Sequence, residues 1–235
     1  MSNKRALILL SGGMDSAVCL AYAKALGYRC YALIFDYGQR HSVEIEAAIA
    51  LAQAAQVPYM RLQLPLVQIG GSSLVDTQME VDDYEELGDD IPNTYVPARN
   101  IIFLSYALGV CEAKKMGNLF IGVNAVDYSN YPDCRPEFIN AFQEMALKGM
   151  PKDENGCGIV IHTPLIHLTK AEIIKLGHKH QVDFSKTITC YRADDQGRAC
   201  GTCASCVLRR QGYEDAGIKD DTRYQEPVTA ELQEA

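Results

Sequence analysis

The chain has 235 residues, with 22 Lys and Arg against 30 Asp and Glu, a formal net charge of −8. That balance weighs against a protein that must hold a long phosphate backbone, which needs a basic surface, but it leaves a nucleotide or nucleobase ligand open. No apolar run is long enough to span a membrane and Met1–Arg5 has no signal-peptide pattern, so a cytoplasmic protein without a membrane partner is expected.

In chain order, "RALILL" (Arg5–Leu10) reads as a short buried strand. Asp15–Leu26 carries apolar residues at helical spacing and Gly27 stops it. "CYALIFD" (Cys30–Asp36) is a second strand, Val43–Gln56 a helix and "YMRLQL" (Tyr59–Leu64) a third strand. Pro65–Asn93 breaks the alternation with paired glycines and the acidic run "EVDDYEELGDD", and reads as a long loop, with 66–95 a lid or insertion. Helix resumes at Arg99–Lys115, followed by a strand at Asn118–Val123, a helix over about Pro136–Leu147 and a strand at Gly158–Leu165. Thr169 and Glu172 form a capping box that opens the next helix. Alternation of this kind predicts a doubly wound α/β domain over residues 1–185, with a mostly parallel sheet of about five strands. A small cysteine-rich helical and loop element over 186–220 and a flexible polar tail over 221–235 complete the chain.

The turn after the first strand is "SGGMDS" (Ser11–Ser16). A strand, a glycine turn and a helix make an anion site, because free backbone N–H groups and the helix dipole converge there. Gly12 and Gly13 permit close approach, and Ser11 and Ser16 add hydroxyls. No lysine follows the glycines, so this is not a Walker A loop. The string resembles the pyrophosphate loop of the ATP-pyrophosphatase superfamily. That resemblance implies cleavage of ATP between its α and β phosphates and transfer of AMP to an acceptor oxygen. It also implies that the backbone near Phe35 meets adenine, and that Arg40 and His41 reach phosphate or substrate from "FDYGQRH".

Four of the nine cysteines, Cys190, Cys200, Cys203 and Cys206, lie within seventeen residues, spaced C-x9-C-x2-C-x2-C. Soft thiolates that converge from tight turns suit zinc, and four of them close the shell, which makes such a metal structural. A redox pair, an iron–sulfur cluster or free thiols are the competing readings. Cys134, in the loop after the fourth strand, is read as a packed residue rather than a reactive thiol.

Six strings in order, "SGGMDS", "FDYGQRH", "IPNTYVPARN", "GVNAVDYSNYPDCRPEF", "TPLIHLTKAEI" and "CGTCASC", narrow the resemblance to the 7-cyano-7-deazaguanine synthase family, over about residues 5 to 213. The resemblance implies a ligase that makes a nitrile from 7-carboxy-7-deazaguanine, ammonia and ATP, with AMP and pyrophosphate as products. It implies ATP binding by Leu10, Ser11, Gly12, Gly13, Met14, Asp15 and Ser16, with Phe35, Arg40 and His41, and magnesium carried with the ATP. Asp15, Lys170 and Arg99 take the catalytic roles, and Asn100, Asp127, Tyr131, Asp133 and Arg135 the substrate, with Asp133 the first choice to accept the N–H groups of the base and Tyr131 to stack on it. One structural Zn2+ and a homodimer, with no direct nucleic-acid contact, complete the expectation. Two rivals stand beside it. One is another amide-forming or tRNA-thiolating member of the superfamily. The other is a zinc-dependent nucleic-acid module, for which Arg209 and Arg210 after the cysteines give footing.

Overall fold

The computed structural model describes residues 4–84, 90–126, 131–152 and 156–225. Five strands, β1 (Arg5–Leu9), β2 (Arg29–Asp36), β3 (Tyr59–Gln63), β4 (Asn118–Phe120) and β5 (Val160–His162), form one sheet in the order β3-β2-β1-β4-β5. Every pairing is parallel. The helices are α1 (Met14–Ala25), α2 (Val43–Ala54), α3 (Arg99–Ala113), α4 (Pro136–Gly149), α5 (Lys170–Lys179) and α6 (Ala204–Ala216). The expected doubly wound α/β fold is therefore present.

Strand alternation sorts the core into two layers. Leu7, Leu9, Leu33 and Phe35 face one side and pack with Leu104, Ala107 and Leu108 of α3 and Ile139 and Phe142 of α4. Ala6, Ile8, Ala32 and Ile34 face the other and pack with Val18 and Leu20 of α1, Ile45 and Leu51 of α2, and Ile173 and Ile174 of α5. Both faces of β1 and β2 are covered, which is why they read as unbroken apolar runs. β3 is an edge strand whose residues are all at least partly exposed.

β4 and β5 are three-residue strands, shorter than the apolar runs that announce them, because the chain turns at Ile121 and Thr163 into loops at the sheet edge. Residues 66–84, within the expected lid or insertion, pack onto the domain. Ser72 and Ser73 are wholly buried, Ser73 Oγ donates to Asn93 Oδ1 at 3.0 Å, and Asp83 bridges to Cys203. The tail drawn from 221 is paired at its start, since Ala199 N donates to Arg223 O at 2.7 Å and Gln225 N to Ala199 O at 2.9 Å. Residues 226–235 lie outside the described residues.

No helix among the described residues is long and apolar enough to cross a membrane.

Candidate functional site

The strand order reverses between β1 and β4, and in such sheets the crevice beyond the carboxyl ends of these strands is the ligand position. A cavity of about 300 Å³ opens there. Its floor is the glycine loop. Gly12 has φ +89°, and a Cβ on it would fall 2.3 Å from the Glu44 carbonyl oxygen, so only glycine fits between β1 and the first turn of α2. Ser16 Oγ donates to Gly13 O at 2.9 Å and accepts from Ser11 N at 3.2 Å, which curls the loop on itself. Gly13 caps α1 without a side-chain bond, so the N–H groups of that first turn remain directed at the cavity. From the β4 side Gly122 closes in, where a Cβ would meet the Asp15 backbone at 3.0 Å.

Two of the expected catalytic residues meet. Lys170 Nζ donates to both Asp15 Oδ1 and Asp15 Oδ2 at 3.0 Å, and the pair is mostly buried. The capping box fixes the start of α5: Thr169 Oγ1 accepts from Glu172 N at 3.2 Å, and Glu172 Oε2 accepts from Thr169 N at 2.8 Å. Lys170 thereby stands at the first helical position, against the dipole, held by Asp15 rather than by solvent.

The third, Arg99, lines the opposite wall at the start of α3, with Asn100 beside it. Burial works against its charge, but Tyr37, Tyr131, Cys134 and Asp133 around it raise its pKa above the ordinary guanidinium value. Phe35, stacked on Phe103 at 4.1 Å between ring centres, and Tyr37, Tyr131 and Tyr191 complete an aromatic wall. Tyr131 Oη is 2.7 Å from Thr94 Oγ1.

Other expected residues lie elsewhere. Asp133 is buried outside the cavity lining, where its Oδ2 accepts from Asn100 N at 2.9 Å in the first turn of α3. Arg135 is exposed at the N-cap of α4. Arg40 also stands off the cavity, with Nη1 donating to Met79 O at 2.7 Å and Ser73 O at 3.3 Å, which stitches residues 73–79 down. His41 Nε2 is 3.1 Å from Tyr191 O and joins the start of α2 to the cysteine element. Asp127 lies outside the described residues. Cys134 is buried and on the wall, with Asn100 Nδ2 at 3.3 Å from its sulfur. Burial pushes its thiol up to about 12, which fits a packed cysteine rather than a nucleophile.

Several wall residues carry no motif signal, among them Glu44, Tyr191, Thr189, Ser205 and Arg209. Glu44 looks in sequence like a solvated acid in the first turn of a helix. Arg209 could have been found, because Cys206, Arg209 and Tyr213 fall on one buried stripe of α6. At 2% exposure it is no part of a surface for nucleic acid.

The four cysteines converge. Their sulfurs all lie within 4.8 Å of one another, with Cys190 and Cys203 at 4.0 Å and Cys200 and Cys206 at 3.9 Å. Thiolates about 2.3 Å from a tetrahedral ion stand about 3.8 Å apart, so the set fits a closed four-sulfur metal site. The element touches the glycine loop directly, since Ile188 N donates to Gly12 O at 2.9 Å.

A parallel sheet with a lysine-free glycine loop at its switch point, faced by a Lys–Asp pair, defines a nucleotide-binding α/β protein of the pyrophosphate-loop kind. The comparisons carry this further: a family model described as "Queuosine biosynthesis protein QueC" matches residues 5–217, and the chain belongs to that family. A relative named 7-cyano-7-deazaguanine synthase from Acinetobacter baylyi is 54% identical over 220 residues, which span 94% of this chain and 95% of that one. One of the same name from Saccharophagus degradans is 53% identical over 225 residues, 95% of this chain and 99% of that one. Among solved structures, NMN synthetase from Francisella tularensis aligns at a TM-score of 0.49 and 16% identity over 93% of this chain and 79% of that one, a likeness too distant to argue from.

Proposed function

We propose that the chain converts 7-carboxy-7-deazaguanine and ammonia to 7-cyano-7-deazaguanine at the expense of two ATP. The carrying observation is the Asp15–Lys170 pair set against the open first turn of α1, in a chain of this family. The substrate carboxylate oxygen attacks the α phosphorus of ATP, and pyrophosphate leaves with the bonding electrons. Ammonia then attacks the acyl carbon and AMP leaves, giving the amide. The amide oxygen attacks a second ATP in the same way, and loss of AMP with the remaining N–H protons leaves the nitrile. Each oxygen is a poor leaving group until it carries AMP.

In this reading the α1 N–H groups, Ser11, Ser16 and Lys170 stabilise the charge that develops on pyrophosphate. Asp15 orients Lys170 and would share in holding magnesium, which would supply further positive charge against the phosphates. Arg99 binds the substrate carboxylate, and the aromatic wall of Phe35, Phe103 and Tyr131 takes the flat rings. Cys190, Cys200, Cys203 and Cys206 hold a structural zinc.

The test is turnover. Protein with 7-carboxy-7-deazaguanine, ammonium, ATP and magnesium should give the nitrile, AMP and pyrophosphate, identified by mass. Release of ADP instead overturns the adenylation chemistry. Accumulation of the amide as the sole end product overturns the nitrile step.

A further inference from the structure

We propose that the N-terminal turn of α6, with Ser205 and the guanidinium of Arg209, is a second anion subsite that takes the β and γ phosphates of ATP and the pyrophosphate released from them. The proposal rests on the reaction class given above.

The charge balance of the cavity motivates it. The start of α5 sets one cation, Lys170, beside the glycine loop, but Asp15 neutralises it at 3.0 Å. Arg99 on the far wall stands in the field of Glu44 and Asp133. A departing pyrophosphate carries several negative charges, which these pairs do not match. Arg209 is the cation in surplus. Its Nη1 donates to Thr187 Oγ1 at 2.9 Å, Thr189 Oγ1 at 3.3 Å and Thr187 O at 3.4 Å, and its Nη2 to Phe184 O at 2.9 Å. All of these acceptors are neutral. Its Nε is buried without an acceptor. Among the described residues no carboxylate lies within ion-pair distance of it. Tyr213, with its ring centre 5.7 Å from Cζ and its phenol beside the guanidinium, is likewise a neutral neighbour. A guanidinium this deep is costly to bury without a counter-charge, and an anion in the cavity that Arg209 lines supplies one.

The helix end adds donors. α6 runs for 13 residues from Ala204, and its N-cap Cys203 makes no side-chain bond to the first turn. Ser205 lies in that turn and lines the same cavity. Thr189 ties this end to the glycine loop, since its Cγ2 lies 3.6 Å from where a Cβ on Gly13 would sit. The N-termini of α1 and α6 therefore flank one space, joined by residues 187–189.

Calorimetric titration of the full chain with magnesium pyrophosphate, and separately with AMP, tests this. AMP lacks the phosphates in question and serves as the internal control. Arg209→Gln should weaken pyrophosphate about 10- to 100-fold, the worth of hydrogen bonds to a charged group, with AMP affinity unchanged. Ser205→Ala, in the first turn of α6, should weaken it about threefold or more, and decides the matter if Arg209→Gln does not fold. Pyrophosphate affinity that both variants retain overturns the subsite. Equal losses for AMP and pyrophosphate overturn it too, since Arg209 would then serve only to brace residues 184–189. Failure of the underlying reaction class shows separately, as a wild-type chain that binds neither ligand.

Discussion

Glu44 is the least expected residue of the cavity wall. It is partly buried in the first turn of α2, near Tyr37 and Arg99. Burial raises its carboxyl from an ordinary 4.5 to about 7, and the attraction of Arg99 only partly opposes this. Between about 4.5 and 7 the folded chain binds more protons here than the unfolded chain, so this group's contribution to stability falls as pH rises and stays lost above 7. Glu44→Gln should therefore raise the stability at pH 8 by on the order of 1–3 kcal/mol and change it little near pH 4.5. Denaturant melts at the two pH values check this, and an equal difference at both would refute it. Asp15 and Lys170 are legible in the sequence because chemistry ties them to recognisable strings. Glu44 is not, because an acid in a first helical turn is ordinary until another segment covers it, and the Arg99 that covers it is 55 residues away in the chain. Asp133 is the reverse case. Its string is distinctive, but its carboxylate serves the N-terminus of α3.

Lys170 gives a second test at this scale. Its stem is packed by Gly212, where a Cβ would lie 2.5 Å from Lys170 Cγ, and its charge is held by Asp15. Lys170→Met keeps the stem and the capping box, so the fold should survive. Loss of a preorganised cation at the leaving group should lower kcat about 100- to 1000-fold. Quenched-flow measurement of pyrophosphate release checks this, and a rate within a fewfold of wild type would remove Lys170 from the reaction.

Among elements, the glycine loop and the two strands that bracket it carry the site. β1 and β2 announce themselves because both faces are buried, and α5 because its cap is written in four residues. β4 and β5 are legible as strands but not in length, because paired backbone rather than apolar content decides where a ladder ends. The conformation of Gly12 makes the loop sharply testable. At φ +89° an added Cβ is strained, and at 2.3 Å from Glu44 O it must displace the first turn of α2. Gly12→Ala should destabilise the chain by about 1–3 kcal/mol and weaken ATP by more than tenfold, since the α1 N–H groups lose their aim. Gly27→Ala is the control: φ is +81° there too, but nothing lies within 4 Å, so it should carry the strain without the loss of ATP binding.

At the scale of the whole molecule, the cysteine element is a wall of the site rather than an appendage. Cys203 caps α6 and Cys206 lies in its first turn, so a metal on the four sulfurs fixes where that helix begins. From there two contacts reach the glycine loop and Lys170. Residues 187–189, gripped by Arg209, rest on the glycine loop through the Ile188–Gly12 bond. Gly212 lets α6 lie against the stem of Lys170. In sequence, residues 186–220 stand apart as their own element because composition changes there. Contacts across that boundary are long in sequence and leave no local trace. Metal removal should therefore act at a distance. Chelation at neutral pH should open residues 187–216 before the sheet, seen as faster hydrogen exchange there while β1 and β2 stay protected. ATP affinity should fall by at least tenfold, although none of the four cysteines lines the cavity. Elemental analysis should find zinc lost in step with that affinity, and restored with it when zinc is added back. ATP binding that survives full metal loss would show that the glycine loop stands without its roof.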